Sequence, residues 1–289
     1  MHLDKNIVKA IAWMFGAIVS FTAMAVSVRE LSDSMHAFQM LFIRSVIGAV
    51  VLGAVLSIKG WGRLRTVRFG GHVLRNAIHF TGQTFWIFGI SMLPLATVSA
   101  IEFTTPIWGA MLAVLLLGER MNPGRWTALA MGFIGILVIL RPGLEVVSYG
   151  AMIMLGCTFC FGATNATTKW LTRTDSALAI LFYMTIMQAT FGAVTSSLVW
   201  TPIVAADWPL LLLLGLTGLS AHYSLTRALG SADATFIMPF EFLRLPLVAL
   251  AAFLLYGEPF ALPTLLGAAI IFSGTYYSLR REARAIKTR

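Results

Sequence analysis

Arg44, Glu102, Glu241 and Arg244 stand inside long apolar stretches of a 289-residue chain. An ionisable side chain costs several kcal/mol in hydrocarbon, so such groups face a partner or a polar cavity. An arginine fork suits a carboxylate or a phosphate. A carboxylate in a low-dielectric cavity suits a substrate cation or carries a coupling proton. Glu241 and Arg244 are three residues apart and share a helix face. Arg44 and Glu102 are expected at matched depths, about 10 Å from the same end of their helices at 1.5 Å per residue, where an Arg44–Glu102 salt bridge is geometrically feasible. Each half of the chain then holds one acid and one base. They either neutralise each other and fix helix register, or they bind the ends of a ligand: Arg44 or Arg244 an anionic group, Glu102 or Glu241 a cation or proton.

His79 and His222 could act as proton carriers, since an unperturbed imidazole changes charge near neutrality. A lone histidine on an apolar helix is more often satisfied by a neighbouring hydroxyl or carbonyl, so His222 alone is kept with Glu102 and Glu241 as a proton-coupling candidate. Gln83 and Asn165 are added as cavity candidates, and Trp86, Trp108, Tyr183, Tyr223 and Phe240 as surfaces on which a planar ligand stacks. Trp200 and Trp208 read as interfacial anchors, Arg75 and Asn76 as interfacial polar residues, and Glu119 and Glu258 as structural markers at helix ends. Cys157 and Cys160 share a helix face within one apolar stretch and read as packing residues. Catalytic signatures are missing: there is no Walker loop, no His-Glu-x-x-His and no Ser-His-Asp set with a supporting context. Neither a metal nor a cofactor is called for.

These residues need a bilayer around them. Hydrophobic residues make up 58% of the chain and charged residues only 11%, against about 25% charged in soluble domains. A soluble enzyme, a disordered chain and a nucleic-acid binder are thereby excluded. A helix needs about 20 predominantly apolar residues to cross the hydrocarbon core, and ten such runs are expected, near 7–28, 37–57, 74–93, 96–117, 125–140, 148–169, 177–199, 208–229, 232–255 and 261–279. Lys5 and Lys9 at the start of the first run and Ala23-Met24-Ala25 near its end resemble a signal peptide, but the run is longer than such a segment and has a counterpart in mid-chain. The formal net charge of +9 reports orientation. With the N-terminus inside, 17 Lys and Arg fall on the cytoplasmic side and only Arg29 and Arg141 outside, so both termini are expected in the cytoplasm.

The chain also repeats itself. An offset of 139 superposes Glu102-Phe103 on Glu241-Phe242 and Gly118-Glu119 on Gly257-Glu258, and an offset of 140 superposes Gly16, Phe21 and Leu31 on Gly156, Phe161 and Leu171. Five spans per half is an odd number, so the second half enters the membrane from the opposite side. The expectation is an all-α integral membrane protein of ten transmembrane helices in a 5+5 inverted-topology repeat, residues 1–143 and 144–289, with a midplane site between the halves. Pro106, Pro239 and Pro246 fall inside the fourth and ninth spans, where a missing N–H frees carbonyls and permits a kink.

The run Ile101-Glu102-Phe103-Thr104-Thr105-Pro106 through Leu117-Gly118-Glu119-Arg120, with Arg125-Trp126 and Arg141-Pro142-Gly143, resembles the end of the first half of the EamA-like family of the drug/metabolite transporter superfamily. Pro239-Phe240-Glu241-Phe242-Leu243-Arg244-Leu245-Pro246 with Tyr256-Gly257-Glu258 resembles its second half. The resemblance implies a central cavity contacted by spans 1, 3, 4, 6, 8 and 9, and a secondary transporter in the bacterial inner membrane that moves a small organic metabolite by alternating access. The form of span 9 is similar to a branch with riboflavin and S-adenosylmethionine uptake. Export of amino acids or drugs is the alternative, and a membrane-embedded enzyme or a channel the alternative of another class. The expected partners are a small-molecule substrate and the lipid bilayer, with no nucleic acid, as a monomer or homodimer.

Overall fold

The computed structural model describes residues 5–93, 98, 101–140, 148–257 and 262–287. The junction at Arg141-Pro142-Gly143 and the acid Glu258 lie outside these residues. The described residues form helices and short turns, with no strand among them: α1 (Lys5–Leu31), α2 (Ala37–Lys59), α3 (Phe69–Met92), α4 (Thr105–Leu117), α5 (Pro123–Leu140), α6 (Tyr149–Leu171), α7 (Ala177–Ser197), α8 (Trp208–Ser231), α9 (Ala234–Ile237), α10 (Arg244–Tyr256) and α11 (Leu262–Lys287). A 3₁₀ turn, Met238–Leu243, joins α9 to α10.

Six stretches, Lys5–Leu31, Ala37–Lys59, Ala177–Ser197, Ala205–Ser231, Ala234–Tyr256 and Leu262–Ala283, are long and apolar enough to cross a membrane, and Thr105–Leu117 and Pro123–Ile139 are shorter apolar helices. α3 and α6 have the length, at 24 and 23 residues. Their apolar runs are broken by Arg75, Asn76, His79 and Gln83, and by Thr164, Asn165 and Thr168, all buried. The polar faces of these two helices thus point into the protein while Val50, Leu115, Val194 and Leu254, each about two-thirds exposed, point out. Such an inside-out distribution needs lipid around it. The chain is a multi-pass membrane protein.

α1 packs on α8, α3 on α6, α2 on α7, α5 on α11, α4 on α6 and α10 on α1. Exchanging the helices of the first half of the chain for those of the second maps α1·α8 onto α6·α3 and α4·α6 onto α10·α1, and leaves α2·α7 and α5·α11 in place. Local geometry follows the same offsets. The turn after α1 closes with Ser34 and Met35 N–H on Leu31 C=O, and the turn after α6 with Thr174 and Asp175 N–H on Leu171 C=O. Gly118 and Gly257 end α4 and α10 at φ 71° and 65°, the left-handed cap that only glycine adopts without strain. α5 and α11 cross where a Cβ on Gly135 would stand 2.7 Å from Gly267 C=O, so the absence of side chains sets that approach.

The apolar core lies where α1, α4, α5, α8 and the broken ninth span meet, around Met14, Ile18, Ile136, Phe236, Met238 and Phe242. Beside it the bundle opens into a cavity.

Candidate functional site

Two breaks in helical backbone set the site. In the fourth span, Phe103 and Thr104 form a turn in which Thr104 N–H bonds Ile101 C=O at 2.9 Å. α4 then starts at Thr105 with Pro106 in its first turn, where the missing N–H of proline costs nothing. The ninth span repeats the pattern: Pro239 sits in the 3₁₀ turn and Pro246 in the first turn of α10. The acids Glu102 and Glu241 stand at these two breaks, where helical periodicity no longer dictates which way a side chain points.

The cavity has a volume of about 1370 Å³ including its mouth. Its walls include Arg75, His79, Gln83 and Trp86 of α3, Arg44 of α2, Phe21 of α1, Thr164, Asn165 and Thr168 of α6, His222 of α8, and Glu102, Glu241 and Arg244 at the breaks. Both halves of the chain therefore contribute charge.

Glu102 is fully engaged. Arg244 Nη2 donates to its Oε1 at 2.9 Å and Trp86 Nε1 to its Oε2 at 2.9 Å. The Arg244 guanidinium also lies over the Phe103 and Phe21 rings, at 5.1 and 5.6 Å from their centroids, a cation–π arrangement. Glu241 instead accepts only from Asn165 Nδ2, at 3.3 Å, among the described residues. The His79 and His222 rings stand 5.3 Å apart, edge to face. Arg44 reaches the cavity because α8 passes it at Gly218, where a Cβ would stand 2.8 Å from Arg44 Cδ.

These positions correct several expectations. The Arg44–Glu102 bridge is not formed: Glu102 pairs across the halves with Arg244, and Arg44 Nη1 meets Met24 Sδ at 3.5 Å. The pairing of acid and base within a half fails because the 3₁₀ turn rotates Glu241 towards α6 while Arg244, first residue of the next helix, faces the fourth span. Four aromatic candidates lie off the cavity. Tyr183 turns away, its hydroxyl donating to Leu64 C=O at 3.0 Å and its ring against His72. Tyr223 packs edge-on against Trp13 and accepts from Arg227 Nη1 at 3.1 Å. Trp108 packs against Phe159, and Phe240, 4% exposed, is a core residue against Phe236. Arg75 and Asn76 are interior rather than interfacial, since α3 begins at Phe69 and carries them more than a turn inside. The i, i+4, i+8 spacing of Arg75, His79 and Gln83 was the available signal.

At the end of the bundle rich in Lys and Arg, charges hold helix ends together. Glu119 accepts from Ala234 and Thr235 N–H at 2.9 and 2.8 Å, capping α9. Lys169 Nζ donates to Leu229 and Ala232 C=O at 2.7 and 2.6 Å, capping α8. Arg125 joins Asp233 at 2.9 Å and Glu282 at 2.7 Å. Asp175 Oδ2 meets Thr66 Oγ1 and His72 Nε2, each at 2.6 Å.

A helical bundle with charged residues facing one internal cavity from both halves has the architecture of a membrane transporter. The chain belongs to the EamA-like transporter family, whose model matches residues 8–141 and again 148–280. It is 29% identical over 282 residues to the S-adenosylmethionine uptake transporter of Rickettsia felis, covering 98% of this chain and 96% of that one. It is 32% identical over 226 residues to the riboflavin transporter of Rhizobium johnstonii, covering 78% and 75%. A solved crystal structure shares the fold with a TM-score of 0.84 at 17% identity, over 96% of this chain and 98% of the other.

Proposed function

We propose that this transporter is a secondary carrier of a small organic metabolite of the S-adenosylmethionine or riboflavin type, importing it across the bacterial inner membrane. The observation that carries the reading is the cavity walled by charged residues of both halves and bridged between them by the Arg244–Glu102 ion pair. Rocking one half against the other breaks and remakes such a bridge, and so exposes the same cavity alternately to each side. The frame is a 5+5 inverted repeat of ten crossings divided near residue 143, supported by the matching turns after α1 and α6, the paired glycine caps and the exchange symmetry of the packing. The basic end is the cytoplasmic end by the distribution of Lys and Arg, so both termini are cytoplasmic.

Glu241 is the coupling or cation-binding acid in this account, because it retains lone pairs that no group among the described residues fills. The substrate class rests on the names of the relatives, which span most of the chain. Uptake of radiolabelled S-adenosylmethionine and riboflavin into proteoliposomes, with and without an imposed proton gradient, tests it. Saturable accumulation of one compound above protein-free vesicles is expected; no saturable uptake of either would overturn the substrate assignment.

A further inference from the structure

The cavity is not electrically balanced by its own residues. Arg244 is neutralised by Glu102, which leaves Arg44 and Arg75 in the same cavity with Glu241. Among the described residues neither arginine has a carboxylate at ion-pair distance. Arg44 donates to a thioether, Met24 Sδ, and Arg75 to Thr168 Oγ1 at 3.1 Å and Asn76 Oδ1 at 2.9 Å. These neutral acceptors orient the guanidinium groups without cancelling their charge. Arg75 stands one turn before His79 on α3 and Arg44 packs at Gly218, one turn before His222 on α8, and the two rings meet, so two fixed positive charges face one part of the cavity.

The same wall is also incomplete in its hydrogen bonds. Among the described residues His79 Nδ1, which can donate to an anion, and Gln83 Oε1, an acceptor that needs a donor from elsewhere on the ligand, are buried without a partner, and their side chains belong to the cavity wall, 5% and 7% exposed. Arg75, itself 2% exposed, precedes them at four-residue steps on the same face of α3. Buried polar atoms without partners and uncompensated buried cations are both costly. One wall that combines them is built for a group absent from the chain itself, and its charge requires an anion.

We propose that Arg44 and Arg75, beside His79, hold an anionic oxygen group of the transported molecule, a carboxylate or a phosphate. Arg244, already committed to Glu102, takes no part. The proposal rests on the reading of the cavity as the substrate site and sharpens it, because riboflavin carries no such group and S-adenosylmethionine carries one carboxylate.

Ligand-induced thermal stabilisation of the purified full-length protein tests it with two matched pairs: S-adenosylmethionine against its decarboxylated form, and riboflavin 5′-phosphate against riboflavin. A hydrogen bond to a charged group that is lost with the anion weakens affinity by about 10- to 100-fold, so S-adenosylmethionine should bind at least about tenfold more tightly than the decarboxylated form. Arg75→Gln should reduce that gap to within about threefold. Because Arg75→Gln also removes two hydrogen bonds of the wall, Arg44→Gln, whose guanidinium holds only a thioether, is the second variant and should narrow the gap likewise. A preference confined to the flavin phosphate would keep the anion site and remove S-adenosylmethionine as substrate. Equal affinity within both pairs, a gap that survives both substitutions, or no stabilisation by any of the four compounds would overturn the anion site.

Discussion

The basic end of the bundle and the central cavity use charged groups in opposite ways. At the basic end four charged groups meet complementary partners: Glu119 two backbone N–H groups, Lys169 two carbonyls, Arg125 two acids, Asp175 a hydroxyl and an imidazole. In the cavity, Arg44 and Arg75 have no acid among the described residues, Glu241 has one amide at 3.3 Å, and His79 and Gln83 keep unpartnered atoms. A buried charge with all its partners supplied by the chain fixes architecture. A buried charge left without them lowers stability unless a ligand completes it, and a carrier must contain such groups to bind and release. The Arg244–Glu102 pair lies between the two cases, complete but partly open at 25% and 24% side-chain exposure.

This contrast predicts an order of stability losses. Arg125→Ala removes the ion-pair partner of Glu282, 15% exposed, and of the half-exposed Asp233, and the donor to the Thr235 hydroxyl, and should cost about 3 kcal/mol, read as the largest drop in midpoint in detergent melts of this series. Arg244→Ala should cost roughly 2 kcal/mol, reduced from the fully buried figure by the partial exposure. The double substitution Glu102→Arg with Arg244→Glu should recover part of that loss, whereas exchanging Arg44 and Glu102 should recover none, since the two do not meet. The Asp175 cluster contributes a smaller, pH-dependent share. Burial alone would raise its carboxyl, but hydrogen bonds from Thr66, His72 and Thr174 outweigh burial and hold it below the usual value. Its stabilisation is therefore full above the unfolded carboxylate value near 4 and is lost as pH falls through the lower folded value. Acid melts of Asp175→Asn should show a shallower fall below that range than the parent. Tyr183→Phe, which removes a single bond to Leu64 C=O, should cost about 1 kcal/mol and leave uptake unchanged, because the ring faces away from the cavity.

Much of the frame was legible in the residues. The apolar runs anticipated the helices, the glycines of the two Gly-Glu pairs are the left-handed caps of α4 and α10, and the three prolines fall at the two breaks. Glu102, Glu241, Arg244, Arg44, Gln83, Trp86, Asn165 and His222 all reach one cavity. Partner choice was not legible. Whether Arg44 or Arg244 meets Glu102 depends on how the 3₁₀ turn rotates one residue against its neighbour, a tertiary outcome that spacing alone does not encode. Four of the five aromatic candidates, all but Trp86, lie off the cavity for a related reason: helix phase turns the rings of Tyr183 and Tyr223, for example, to other neighbours. Arg75 was placed at the interface because the apolar run of the third span starts near residue 74, whereas the helix itself starts at Phe69.

The most direct test of the contrast is the initial rate of saturable uptake by Glu241→Gln in proteoliposomes, measured beside its melting midpoint. Glutamine keeps the shape and the acceptor for Asn165 but removes the charge and the proton. A rate at least about tenfold below the parent with a midpoint equal to or above the parent's is the predicted result, since a buried charge with a single amide partner serves transport and costs stability. Parental uptake by this variant would contradict the account.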